Sequence, residues 1–370
     1  MHIVYRILGL ALIILVLFDV FKTVIVPRIT SRRFRIAPFF VGQLMWPTYK
    51  RVALMRPFNK MSTGMLETFG PLSFVGLVLV WLILMVCGYA LILFSFKDRV
   101  TPHIKDFGEA LYFAGASVLT IGYGDVVASA PITRAIVLIG ALCGLVFMAL
   151  VISYLFTIQN WLQQREQIVN TLRSRAGTPP SGLVLLLRYK ELTIVPTLGP
   201  AFLQWESWAA SILESYRAYP ILAYFRSSNK NESWLSAMGA MLDAASILLT
   251  SVDDVAVGEA DLFYWLSCTC IQSICDYVDA SGVEGVYLTR KEYADGLSIL
   301  ADLGYKVRTD DKSWSQFSAR RSGYMGNIVA LADTFAIPLH SWIQGLPLLN
   351  VEPDLEKTKV VSRQRSSSDR

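Results

Sequence analysis

Apolar and polar positions divide this chain into three long hydrophobic runs, a basic stretch between the first two, and a long C-terminal region with helical periodicity. Ile7–Phe18 is unbroken apolar sequence, and admitting Asp19 and Lys22 extends it from about Ile3 to Val26, ending at Pro27. A crossing helix needs about 20 residues, so this run is long enough. A cleaved signal segment would carry its basic residues in front and end at small residues. Here the basic cluster follows and no Ala-x-Ala site is present, which predicts a retained span. Pro71–Phe96 is the second predicted span and Ile132–Gln159 the third. Beyond it, Trp161, Leu162, Ile168, Val169 and Leu172 recur at about heptad spacing. They predict a helical extension with one face free to pack on neighbouring chains.

The stretch Gly177 to Gly182, with Pro179 and Pro180 inside it, breaks that pattern and reads as a linker. From Leu183 to about Asn350 the spacing is mostly helical, as in Ala201–Tyr216, Glu232–Thr250, Asp261–Asp279 and Lys291–Leu303. Asp253, Asp254, Gly282, Gly285 and Pro338 punctuate it. The sequence therefore predicts an all-α membrane protein. Its parts are an N-terminal span (1–27), a basic linker (28–70), a pore module (71–160) and a helical extension with linker (161–182). A mostly helical cytoplasmic domain (183–350) and a polar tail expected to be disordered (351–370) complete it.

Charge fixes the orientation. Residues 28–70 hold Arg28, Arg32, Arg33, Arg35, Lys50, Arg51, Arg56 and Lys60 against one acid, Glu67. Interleaved with Phe34, Phe39, Phe40, Met45 and Trp46, they read as an interfacial segment on an anionic leaflet. A short loop so rich in Lys and Arg is cytoplasmic, which puts the N-terminus outside and the C-terminal domain in the cytoplasm of a multi-pass cell-membrane protein. No apolar helix carries regularly spaced cations, so an arginine-rich voltage sensor is not predicted. Asp19 is the odd residue of the first span. Lys22 lies one turn on, and an ion pair that snorkels to the interface is favoured over a contact with the pore helices or a lipid headgroup.

Composition agrees with a chain that is part membrane and part soluble. Charged residues are 17% and hydrophobic residues 54% of the 370, and the mean hydropathy is +0.45. The net charge of +5 is mild and unevenly placed, so it speaks to topology and not to nucleic acid. Cys87 and Cys143 fall in spans, and Cys268, Cys270 and Cys275 on one predicted helix, so buried thiols are favoured over disulfides or a metal site.

The informative segment lies between the second and third spans. Thr120, Ile121, Gly122, Tyr123, Gly124 and Asp125 follow a short run of small and apolar residues, Ala110–Leu119, with Asp106 and Glu109 at capping-box spacing before it. About 13 residues of helix reach only roughly 20 Å, too short to cross. Such a half-helix points its negative C-terminal end at the membrane centre, where it favours a cation. Glycines at alternate positions tolerate backbone angles that turn successive carbonyls to one side, and rings of carbonyls replace the hydration shell of K+. Tyr123 is expected to brace against Tyr112 and Phe113, Thr120 to add a hydroxyl at the inner end, and Asp125 to hold the outer mouth.

Residues 71–160 resemble the pore module of potassium channels of the two-span, pore-loop type, whose signature is Thr-x-Gly-Tyr-Gly-Asp. The resemblance implies K+ coordinated by the backbone carbonyls of Thr120, Ile121, Gly122 and Tyr123, a filter completed by Gly124, and Asp125 at the mouth. It also implies a bend of the inner helix at Gly144, favoured here as a gating hinge, although Gly140 and Gly144 are spaced as a close-packing pair as well. Leu119 stands where a second threonine is common, and Ala116 where many members keep a buried acid. One chain supplies one filter strand, so four must close into a ring, a homotetramer. No cofactor is expected, and K+ is the permeant ion.

Two other functions compete. A potassium carrier of similar ancestry would carry four degenerate pore repeats in one chain, with one glycine kept in each. An enzyme would need a catalytic constellation, and the sequence holds no Gly-x-Ser-x-Gly, no His-Glu-x-x-His and no phosphate-cradling loop. His2, His103 and His340 have no partners at ligand spacing. Trp205, Trp208, Trp234, Trp265, Trp314 and Trp342 read as core or interface residues. A regulatory or assembly role is favoured for 183–350.

Overall fold

The computed structural model describes residues 2–26, 36–55, 62–227, 233–253, 255, 258–282 and 288–337. The basic cluster from Arg28 to Arg35, Arg56, Lys60, Asp254, Gly285, Pro338, His340, Trp342 and the tail at 351–370 lie outside the described residues. The chain forms two units. Unit 1 comprises Met1–Gln163 with Glu214–Arg226, and unit 2 comprises Gln164–Leu213 with Ser227–Arg370. The sequence boundary at 183 therefore differs from the structural one: residues 164–182 go with the C-terminal unit, and 214–226 with the pore.

Unit 1 opens with α1 (His2–Val20), continued by a π-helical turn over Phe21–Ile25. The short α2 (Ile36–Pro38) and a second π-helical stretch (Phe39–Met45) lead into α3 (Trp46–Leu54). The long helices α4 (Ser62–Phe94) and α6 (Pro131–Ala176) flank the half-helix α5 (Phe107–Val118). Helix α4 starts before Pro71 and passes through it; two residues on, the Ser73 hydroxyl donates to the Gly70 carbonyl at 2.8 Å. Membrane helices tolerate proline inside a span.

Helix α1 lies antiparallel on α4, and glycines let it come close. A Cβ on Gly9 would sit 2.5 Å from the Gly88 carbonyl oxygen, and one on Gly88 would sit 2.7 Å from Ile13. Small residues allow such approaches in membranes, where apolar side chains alone give no drive to associate. Polar contacts pin both ends. Arg6 Nε donates to Ser95 Oγ at 3.0 Å, and its guanidinium lies 3.9 Å from the centroid of the Phe96 ring. At the other end the Trp81 indole donates to Asp19 at 2.7 Å, and the backbone N–H groups of Ile36 and Ala37 donate to the same carboxylate at 3.0 and 3.2 Å. The expected snorkelling of Asp19 is thereby corrected. The carboxylate is 2% exposed and satisfied by three donors, because a buried charge without partners is far too costly to keep. The competing reading, a contact with the pore helices, is the one the geometry supports.

Unit 2 is helical: the end of α6, α7 (Gly182–Glu191), α8 (Leu198–Ala218, whose last turn belongs to unit 1), α9 (Trp234–Ser251), α10 (Gly258–Val278), α11 (Arg290–Asp302) and α12 (Asp311–Thr334). A two-residue ribbon pairs Val252 with Val307. Helix α9 is the axis of the unit, with α7, α10 and α12 packed round it. Helix α7 comes close to it at Gly182, where a Cβ would lie 2.5 Å from the Ala240 carbonyl oxygen. Inside, Arg321 donates to Asp243 at 3.0 Å and the Tyr324 hydroxyl donates to the same oxygen.

Ile168, Val169 and Leu172 are buried within their own chain, and the Trp208 indole donates to the Arg165 carbonyl at 3.2 Å. This corrects the expectation for part of the face that was to serve neighbouring chains: Ile168, Val169 and Leu172 are covered by their own chain, whereas Trp161 and Leu162 are half-buried. Trp205, Trp208 and Trp234 are core residues, Trp314 is half-buried, and Trp265 is exposed. Cys270 and Cys275 are buried, and burial pushes the thiols of Cys268 and Cys275 up to about 11.

Candidate pore and filter

The half-helix α5 starts as the sequence requires. Asp106 accepts from the Glu109 N–H at 2.9 Å, while the Glu109 carboxylate turns back one residue further than a capping box needs, to the Lys105 N–H at 2.7 Å. Ala110, Phe113, Ala114 and Val118 form its buried face, and α4 is its neighbour. At its C-terminal end the backbone doubles back. The Ala116 carbonyl accepts from the N–H groups of Ile121 and Gly122 at 2.9 and 3.3 Å, and the Ser117 carbonyl accepts from Thr120 at 3.1 Å. The last carbonyls of α5 thus hold the start of the 120–125 strand by its N–H groups.

The strand alternates in handedness. Thr120, Gly122 and Gly124 have φ of +56°, +62° and +81°, while Ile121 and Tyr123 between them are not left-handed. Alternation of this kind turns successive N–H groups to one side, and so turns the carbonyls to the other. Among the described residues no protein donor reaches the carbonyl oxygens of Thr120, Ile121, Gly122, Tyr123 or Gly124. No atom lies within 4 Å of a Cβ built on Gly122 or Gly124. Within this chain glycine is therefore favoured there by its φ and not by a lack of room. Thr120 is the residue that sequence reasoning undervalued. A β-branched residue at positive φ is strained by about 1–3 kcal/mol and persists only when its surroundings hold it.

The outer end is tied to α5 by aromatic rings and a carboxylate. Tyr112 and Tyr123 stack with centroids 6.1 Å apart and planes 6° from parallel. The Tyr112 hydroxyl donates to Asp125 at 2.8 Å, and the other oxygen of Asp125 accepts from the Val126 N–H at 3.0 Å. Phe113 is buried, and among the described residues the ring that stacks on Tyr123 is that of Tyr112. After the strand, β2 (Val127–Ala128) pairs with β1 (Val100–Thr101), and Thr133 Oγ1 donates to the Arg99 carbonyl at 3.0 Å. Two-residue strands leave almost no trace in a sequence, so this strap was not legible.

Gly144 sits where α6 crosses the end of α5. A Cβ there would overlap the Val118 carbonyl oxygen and lie 2.9 Å from its carbon. Gly140, one turn earlier, faces the Tyr89 ring at 3.3 Å. Helix α6 runs unbroken through both, so close packing is what the geometry of this pair supports. Leu138, Leu142, Leu145 and Phe156 on the same helix are all more than half exposed.

A protein-family model described as "Ion channel" matches residues 76–159. The chain is also 20% identical over 186 residues to the uncharacterized membrane protein YdjJ of Bacillus subtilis (strain 168), an alignment covering 49% of this chain and 54% of that protein. The chain thus spans about half the length of that relative. No solved structure matches at the same stringency. The half-helix, the left-handed alternation behind it and the match over 76–159 together support an ion channel whose pore module lies in that segment of a membrane protein.

Proposed function

We propose that this chain is one subunit of a homotetrameric, potassium-selective channel of the cell membrane. Its filter is the backbone of Thr120 to Gly124, with Asp125 at the outer mouth. The observation that carries this reading is the alternation of φ at Thr120, Gly122 and Gly124 in a strand whose carbonyls have no protein donor. Residues 120–124 are exposed in the single chain, so their carbonyls are free to face a pore axis, and a ring of them from four chains suits a dehydrated K+. The exposed apolar surface of α6 fits lipid and neighbouring subunits. In this reading the N-terminus is outside and the domain after 160 is cytoplasmic. The basic linker meets anionic headgroups, and the gate lies at the inner helices, with Gly144 as a candidate hinge. Ion conduction, and not catalysis, is the activity, and no cofactor is needed.

A carrier is separated from a channel by planar-bilayer recording of the purified full chain. Resolved unitary openings carried by K+, from particles with the mass of four chains, are expected. Saturable flux without unitary steps would overturn the proposal.

A further inference from the structure

Residues 214–226 lie within the sequence of the C-terminal unit but pack with the pore. The chain leaves unit 2 after Leu213 and rejoins it at Ser227. A 3-10 turn, Pro220–Tyr224, follows α8, and its Ile221, Leu222 and Ala223 are buried. Aromatic residues on either side grip three separate pore segments. Tyr219 sets its ring 5.6 Å from Tyr154 of the inner helix α6, and Tyr154 lies 5.9 Å from Phe74 of α4. Tyr224 sits 5.4 Å from Trp46 of α3 and 5.5 Å from Phe69 of α4. Phe225 occupies the space of a missing side chain: a Cβ on Gly70 would be 2.8 Å from its Cγ. Gly70 lies inside a helix, where only proline is a poorer former, so its presence under Phe225 marks a surface shaped to receive the insert.

We propose that residues 214–226 are the coupling element by which the C-terminal domain sets the position of the inner half of α6. The proposal rests on the reading of this chain as a gated channel. Any gate at the inner helices needs α6 beyond Gly144 to move against α4. Tyr154, ten residues on, is 3% exposed and wedged between Phe74 and Tyr219. Packed contacts switch between discrete arrangements and do not deform smoothly. Helix α6 therefore cannot shift at Tyr154 without repacking the insert. The insert is in turn held on α3 and α4 by Tyr224 and Phe225, and both its ends continue into unit 2. An event that favours one arrangement of that unit then biases α6 through the chain itself.

The test is a cysteine pair in the full-length protein, Gly70→Cys with Phe225→Cys. The built Cβ of residue 70 lies one bond beyond 2.8 Å from that of 225 at most, which suits the separation of about 3.5–4.5 Å that a disulfide needs. Single-channel recordings are compared before oxidation, after it, and after dithiothreitol, with each single cysteine as control for the five native thiols. We expect the bond to form by mass spectrometry and gating transitions to slow about tenfold or more, reversibly. Tyr219→Ala should change open probability about fivefold or more without moving the K+/Na+ reversal potential. Failure of the bond to form, unchanged gating with the bond formed, or unchanged open probability in Tyr219→Ala would each overturn the proposal. Loss of potassium preference in the parent protein would instead overturn the channel reading on which it stands.

Discussion

Helices α6 and α9 are both long and apolar enough to cross a membrane, yet only 17% of the most apolar stretch of one is buried against 83% of the other. Helix α9 turns its apolar residues toward α7, α10 and α12, whereas α6 leaves Leu138, Leu142 and Leu145 on the outside. The lesson is that hydropathy finds an apolar helix without naming its solvent. A helix sheathed by other helices of its own chain is a core, and one left bare is built for lipid or for another subunit. The two units are also held differently. Unit 1 relies on glycine contacts and on polar pins at helix ends, at Gly9, Gly88, Gly144, Arg6 and Asp19. Unit 2 relies on a continuous core with an ion pair inside it.

Gly144→Ala should give the largest effect, because its Cβ meets backbone that cannot rotate away. A cost above about 4 kcal/mol is expected, read as loss of assembled protein and of current. Gly140→Ala, which meets only the Tyr89 ring, should assemble. Normal assembly of Gly144→Ala with altered gating alone would favour a pure hinge and break the contrast drawn for unit 1.

In unit 2, Arg321→Ala strands the Asp243 carboxylate, and breaking a buried pair this way costs about 3–5 kcal/mol. The neighbouring carboxylate holds the Arg321 guanidinium above its ordinary range despite burial. The double change Asp243→Leu with Arg321→Met should recover much of the loss in chemical denaturation followed by tryptophan fluorescence. Equal losses in the single and double variants would contradict a core that tolerates apolar replacement.

The smallest effect is expected at the start of α11. Thr289 and Glu292 form a capping box there, with the Thr289 N–H donating to Glu292 at 2.7 Å and its hydroxyl at 2.9 Å. Thr289→Ala should cost about 0.5–1 kcal/mol. These bonds, the backbone one first, hold the Glu292 carboxyl below its usual range. Its contribution is therefore present above the ordinary carboxylate pKa and lost as pH falls through the depressed value. An acid-unfolding curve of Thr289→Ala should be less steep there, and an identical curve would show that the box contributes nothing.

Much of this was legible in the chain. The apolar runs marked α1, α4 and α6, and helical spacing marked α8, α9, α10 and α11, since one buried face imposes the same period in lipid and in water. The left-handed alternation of the 120–125 strand was legible because Gly122 and Gly124 tolerate backbone angles that few residues adopt. The rest was hidden for physical reasons. Asp19 accepts from Trp81 and two backbone N–H groups far along the chain, and local spacing suggested only Lys22. The left-handed Thr120 violates its own preference and is held by Ala116 and Ser117, which no local pattern shows. The insert at 214–226 has the composition of any helix end, and only the fold shows that Gly70 waits for Phe225.

The measurement that tests the central claim most directly is the reversal potential of the reconstituted full chain with K+ on one side and Na+ on the other, alongside Gly122→Ala and Gly124→Ala. Each tenfold preference moves it by about 59 mV. The parent protein should sit roughly 120 mV from zero toward the K+ equilibrium, a preference of about 100-fold. Both alanine variants should collapse toward zero, because their φ values of +62° and +81° strain any residue with a Cβ. A parent reversal potential at zero, or an unchanged one in both variants, would contradict a filter made of these carbonyls.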